Sequence, residues 1–171
     1  MSEDHREVAA GSGERGFIAR PGPIPMGYYK DPDKTQKTFP TINGVRYSIP
    51  GDWCTVEADG TLNLLGRGSA CINSGGEKIF PEEVEEVLKS HALVDDALVF
   101  GLDDDKWGQV VTAVVSAGEN IVLSNEELLQ HVRSHLAHYK APKAIHQVPE
   151  MFRAPNGKAD YKSARQYVQN L

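Results

Sequence analysis

Residues 66–91 read GRGSACINSGGEKIFPEEVEEVLKSH, and the texture of the chain changes inside them. Pro81 stands where a first-turn proline is tolerated, and Glu82 and Glu83 follow where a helix dipole favours anions. Val84, Val87 and Leu88 then share one face, so the spacing predicts a helix over Pro81–His91. Upstream of it, Gly66, Gly68, Gly75 and Gly76 fall within eleven residues. Such a stretch suits an ordinary linker, or a backbone that swings or lets a ligand come close. It is not a Walker loop, because no Gly-Lys-Ser/Thr follows at the required spacing.

Beyond this stretch the pattern stays mixed. Ala97–Phe100 is a short apolar run, and Val110–Val115 is a longer β-branched one that reads as a strand buried on both faces. Ser124 and Glu127 occupy the positions of a capping box, opening a helix to about His138. Ala144–Val148 reads as another strand, and Asp160 as the cap of a last helix carrying Ala164, Tyr167 and Val168. Helix, strand, strand, helix, strand, helix is the order of a small α+β domain over residues 67–171, its sheet covered by helices. Residues 1–66 read differently, as short strands and turns. Pro21, Gly22, Pro23, Pro25 and Gly27 exclude helix after Arg15–Arg20. Asn43-Gly44 is a two-residue hairpin signal, and Asp59-Gly60 is expected to repeat the device. This half is expected to be all-β and, with few large apolar residues, incomplete as a domain.

The chain has 171 residues, 40% of them hydrophobic, and a net charge of −6. That is enough to bury a core and too apolar for bulk disorder. No apolar run approaches the ~18 residues of a membrane span. Met1–Gly13 is too polar for a signal peptide. An acidic balance argues against a nucleic-acid binder. Cys54 and Cys71 are too few for a disulfide framework, so a reduced, cytoplasmic protein is expected.

Several side chains invite a chemical reading. His131, His135 and His138 share one side of the second helix, but no Cys or Asp completes a metal shell, and a solvated flank explains them. Pro155-Asn156-Gly157-Lys158 is a turn presenting a lysine that is either solvated or delivered to an anion. Gly51-Asp52 is either a plain turn or a carboxylate placed to accept from a ribose diol.

Their order is more telling than any one of them. Gly51-Asp52, Gly66-Arg67, Ser74-Gly75-Gly76-Glu77 with Pro81-Glu82-Glu83-Val84-Glu85, Leu136–Pro142 and Pro155–Lys158 together resemble the adenylate-forming superfamily, most of all its acyl-CoA synthetase branch. Gly27-Tyr28-Tyr29 with Asp31-Pro32 and Thr35 adds to the likeness, which runs from about Arg15. The wording of Ile72–Glu86 resembles actinobacterial fatty-acid or steroid-acid CoA ligases.

The resemblance implies an enzyme that makes an acyl-adenylate from a carboxylic acid and ATP, then passes the acyl group to coenzyme A and releases AMP. It implies that Asp52 and Arg67 bind the nucleotide ribose, that Gly68 or Ser69 is a hinge, and that Ser74, Gly75, Gly76 and Glu77 line the coenzyme A tunnel. Lys158 is the implied catalytic residue, bridging the substrate carboxylate and the α-phosphate. Mg2+ would be held mainly by a large N-terminal domain, and no metal site is expected in this chain. Relatives carry a Gly-rich phosphate loop and an aromatic-Gly-x-Thr-Glu segment that are absent here. Residues 1–66 would then be the tail of that large domain and 67–171 the whole small mobile domain, inactive alone. The hinge position, often Asp or Lys in relatives, is Ser69 beside Gly68. Two other functions fit less well: loading of a carrier protein or amide formation by the same superfamily, and a non-catalytic nucleotide-binding or interaction module.

Overall fold

In the computed structural model the chain divides into two units, Met1–Ser69 and Ala70–Leu171. Residues 1–171 are described, with the side chain of Ser69 excepted.

The first unit contains β1 (Gly16–Phe17), β2 (Arg20–Pro21), α1 (Pro32–Thr38), β3 (Thr41–Ile42), β4 (Val45–Ser48), β5 (Asp52–Val56) and β6 (Leu62–Arg67). Two three-stranded sheets result, in the orders β1-β5-β6 and β2-β4-β3. Asn43 (φ 49°) and Gly44 (φ 79°) turn the chain between β3 and β4 as their residue types require. Asp59-Gly60 does not repeat that turn. Gly60 N–H donates to Glu57 O (2.9 Å) and Glu57 N–H to Thr61 O (2.9 Å), closing a three-residue loop. Only Gly60 (φ 85°) takes the left-handed conformation, while Asp59 Oδ1 accepts from the Thr61 N–H (2.9 Å). The unit is also not all-β. Asp31 caps α1 by accepting from the Lys34 N–H (3.0 Å), and Pro32 takes the first helical position. Asp-Pro was a helix start in the sequence all along, masked by the prolines before it.

The second unit contains β7 (Ile72–Ser74), β8 (Glu77–Ile79), α2 (Pro81–Lys89), β9 (Asp96–Asp104), β10 (Gly108–Ser116), α3 (Asn125–His135), β11 (Ala144–Gln147) and α4 (Tyr161–Gln169). Its sheet runs β11-β10-β7-β8, with β9 antiparallel to β10 on that strand's other side. β11 is parallel to β10. Ser124 Oγ accepts from the Glu127 N–H (3.3 Å) at the start of α3, and Asp160 from the Ser163 N–H (3.1 Å) at the start of α4. α3 stops at His135, and His138–Lys140 forms a separate 3-10 turn. Two cores sandwich the sheet. Val84 and Leu88 of α2 and Leu128 and Val132 of α3 pack with Ala97, Val99, Val111, Ala113 and Val115 on one face. Leu98, Phe100 and Val114 pack with Val148 and Ala164 on the other. The expected α+β class and the strand buried on both faces are both present.

Candidate functional site

Asp52 and Arg67 are fifteen residues apart but face each other as the last pair of the β5–β6 ladder. Between them the ladder shifts register at Trp53/Cys54, with Gly66 (φ 119°) opposite Trp53. Gly66 accepts this positive φ without strain, and the bulge re-aims the strand end. Arg67 Nε donates to Asp52 Oδ1 (3.2 Å), so a carboxylate and a guanidinium stand together at the exposed end of the hairpin. A carboxylate that accepts beside a guanidinium that donates is a pairing that suits a diol. Gly68 lies just beyond. Its N–H donates to Gly51 O (3.1 Å), and a Cβ there would stand 2.6 Å from Trp53 Nε1. The indole therefore leaves no room for a side chain at position 68. The Ser69 side chain lies outside the described residues.

In the second unit Ser74 pairs with Glu77 across the β7–β8 hairpin, and Gly75 (φ 58°) and Gly76 (φ 88°) are its two turn residues. The glycines are thus first a turn requirement, a Gly-Gly hairpin signal read above only as freedom. A Cβ on Gly75 would meet Trp107 Cε3 at 2.8 Å, whereas a Cβ on Gly76 would have nothing within 4 Å. Trp107 is 40% exposed, and its carbonyl accepts from the Gly75 N–H (2.9 Å). Lys106 Nζ and Lys143 Nζ lie 4.9 and 5.3 Å from the centroid of its ring. An aromatic face with two ammonium groups beside an open glycine turn suits a planar base carrying phosphates. Trp107 was not singled out in the sequence, since the strand pairing that brings it to Gly75 is not local.

Lys158 sits on a small hairpin of its own. Gly157 N–H donates to Ala154 O (2.8 Å), Ala154 N–H to Lys158 O (2.8 Å), and Asp160 N–H to Phe152 O (3.0 Å). Arg153 and Ala159 form the bridge pair between these bonds. Gly157 (φ 79°) again supplies the left-handed residue that lets the turn close. The lysine side chain is exposed at the tip. Below it Arg153 holds Asp96 with two bonds, of 2.9 and 2.7 Å. Burial pushes the Asp96 carboxyl up, but the bonds from Arg153 and the Ala97 N–H outweigh it and hold it below the usual range. On the other side the Tyr161 hydroxyl donates to Glu85 Oε1 (3.0 Å), which also accepts from the Val99 N–H (2.8 Å). Burial raises the Glu85 carboxyl in spite of these two bonds. Burial and the neighbouring carboxylate both drive the Tyr161 phenol upward, so it stays protonated and donating.

His131 and His135 have a structural explanation. His131 Nε2 is 3.0 Å from Val87 O and 2.9 Å from Ser90 Oγ, joining α3 to the end of α2. His135 Nδ1 is 2.8 Å from the His131 carbonyl. Among the described residues no group of three or more His, Cys, Asp and Glu could hold a metal ion.

Residues 83–158 match the family of the AMP-binding enzyme C-terminal domain. Over 165 residues, 96% of its length, the chain is 55% identical to a medium/long-chain-fatty-acid–CoA/3-oxocholest-4-en-26-oate–CoA ligase of Mycolicibacterium smegmatis, and it spans 30% of that protein. It is 51% identical, with the same two shares, to a 3-oxocholest-4-en-26-oate–CoA ligase of Rhodococcus rhodochrous. Among solved structures it resembles o-succinylbenzoate CoA synthetase of Bacillus subtilis in complex with the acyl-adenylate intermediate OSB-AMP. There the TM-score is 0.79 at 32% identity, over 90% of this chain and 31% of the other. The chain therefore spans about 30% of the curated relatives it matches. With the ordered motifs on a matching α+β frame, the chain carries the AMP-binding enzyme C-terminal domain over residues 83–158 and is similar to adenylate-forming enzymes.

Proposed function

We propose that this chain is the C-terminal part of an AMP-forming acyl-CoA ligase. Its first unit would be the tail of a large adenylation domain and its second the small mobile domain. The acid would be a medium- or long-chain fatty acid or a steroid with a carboxylated side chain, the classes in the relatives' names. A carboxylate oxygen attacks the α-phosphorus of ATP and pyrophosphate leaves. The thiol of coenzyme A then attacks the acyl carbon and AMP leaves.

Each local group supports one part of this reading. Asp52 accepts from the ribose hydroxyls and Arg67 holds the same sugar. Gly76 leaves the turn open on the side where pantetheine passes, and Gly75 gives its space to Trp107. With Lys106 and Lys143, that ring would receive the adenine and phosphates of coenzyme A. Ser74 and Glu77 flank the passage. The unit boundary at Ser69/Ala70 and the bond from the Gly68 N–H to Gly51 O favour Ser69 as the residue whose dihedrals change. Mg2+ would accompany the ATP phosphates, with no ligands assigned to it in this chain.

The observation that carries the reading is Lys158: an exposed ammonium on a hairpin closed by three backbone bonds. A charge held in place before the reaction stabilises charge that develops during it. Lys158→Ala in the full-length enzyme is expected to slow acyl-adenylate formation by about 10²–10³, the loss of about 3–4 kcal/mol of transition-state stabilisation. The thioester step, started from acyl-adenylate and coenzyme A, should change little. Single-turnover measurement of each half-reaction tests this. Equal losses in both steps, or none in the first, would return Lys158 to the solvated surface. Pre-formed acyl-adenylate consumed by amines but not by coenzyme A would favour amide formation.

A further inference from the structure

A hairpin as short as Phe152–Asp160 is not stable by itself. A lysine also brings a long, flexible stem that its own turn does not restrain. Both roots of this hairpin are fastened, and by side chains far away in sequence. Arg153, five residues before Lys158, makes a two-pronged bond to Asp96, 57 positions upstream at the start of β9. Tyr161, three residues after Lys158, bonds Glu85, 76 positions upstream in α2. Glu85 is only 6% exposed and also takes the outward N–H of Val99 on β9. An apolar residue of similar size at position 85 would avoid the cost of burying a carboxylate, so its presence asks for a positional reason. Both fastenings end on β9, the longest edge in the sheet with β10. They are also close enough to sense one another, since the Glu85 carboxylate favours the charged form of Arg153.

We propose that Arg153 and Tyr161 are positioning residues for Lys158. Through Asp96 and Glu85 they fasten the two roots of its hairpin to β9 and so fix where its ammonium can be delivered. This inference rests on the reading of Lys158 given above. The forked Arg153–Asp96 contact sets orientation as well as distance, which a single ammonium would not. The Tyr161–Glu85 bond sets the direction in which α4 leaves the hairpin.

The test uses the full-length enzyme with Arg153→Ala, Arg153→Lys and Tyr161→Phe, each alone and combined with Lys158→Ala. Single-turnover rates are read for both half-reactions. Arg153→Ala should slow adenylation about 10-fold and Tyr161→Phe about 3- to 10-fold, the size of a lost bond expressed as rate. The thioester step should stay within about twofold, because residues acting through one group share one effect. In the Lys158→Ala background neither substitution should cost anything further. Full additivity, or equal loss in both steps, would overturn the proposal. Should Arg153→Ala fail to fold, Arg153→Lys carries the same test, since it keeps the charge and loses the fork.

A second measurement separates this proposal from the reading beneath it. Amide exchange at Ala154, whose N–H is bonded to Lys158 O, should speed up about tenfold in the Arg153→Lys and Tyr161→Phe chains of 171 residues. Unchanged protection overturns the fastening whatever Lys158 does. Faster exchange with an adenylation rate indifferent to Lys158→Ala would keep the fastening and sink the catalytic role.

Discussion

The two units are held together by different means. In Ala70–Leu171 a sheet is covered on both faces, and side chains such as Ile79, Val84, Leu88, Leu98, Val99, Val114 and Leu128 are fully or almost fully removed from water. In Met1–Ser69 the buried apolar side chains are Val8, Phe39, Trp53, Cys54 and Leu65, while Met26, Tyr29, Leu62 and Leu64 face solvent. Three of the first unit's strands are two residues long. Its shape comes from turns, a bulge and ladder bonds, with little apolar burial behind them. The contrast separates two ways of placing functional groups. Asp52 and Arg67 are placed by ladder register, whereas Lys158 is placed by a hairpin fastened to a packed sheet.

The largest expected difference between the units is in what truncation costs. Phe100→Ala, in the second unit, should destabilise by about 3–5 kcal/mol, because it removes a ring and leaves a cavity between β9 and α4. Leu64→Ala, 64% exposed in the first unit, should change stability by less than about 0.5 kcal/mol. Urea titrations can follow each unit separately, since Trp53 lies in the first and Trp107 in the second. Comparable losses would erase the distinction.

Glycines give a smaller difference. Gly60→Ala in the first unit meets open space and should cost only the strain of positive φ, about 1 kcal/mol. Gly75→Ala carries the same strain and drives its new methyl into Trp107, adding about 1 kcal/mol for a ring that must shift. The second substitution should also change Trp107 fluorescence. Equal costs and an unchanged spectrum would mean that the ring is not seated on the turn.

The smallest effect concerns pH, and its signs oppose. Asp96 is held below its ordinary value, so its contribution is present above the unfolded aspartate range and lost as pH falls through the lower folded value. Glu85 is raised, so its contribution is complete below the unfolded glutamate value and lost as pH rises through the higher folded one. Asp96→Asn should therefore flatten the acid limb of the urea midpoint of the second unit, and Glu85→Gln the limb above it. The same profile in both variants would show that neither pair titrates with folding.

Much of this was legible in residue types at close spacing. Asn43-Gly44 sets a turn because both positions accept positive φ, Pro81 and the glutamates after it start a helix, and Ser124 and Asp160 cap two others. Asp31-Pro32 and Gly75-Gly76 were equally local signals, covered by neighbouring prolines in the first case and by the several uses of glycine in the second. The sequence by itself thus determined where helices and turns form, since these answer to bonds within a few residues. It also carried the motif order that marks the family. Only the tertiary structure decided which side chains meet: Asp52 with Arg67 through a bulged register, Trp107 with Gly75, Arg153 with Asp96 and Tyr161 with Glu85. Those pairs depend on how strands align and which faces they bury, energies summed over the whole sheet and written in no short stretch of it.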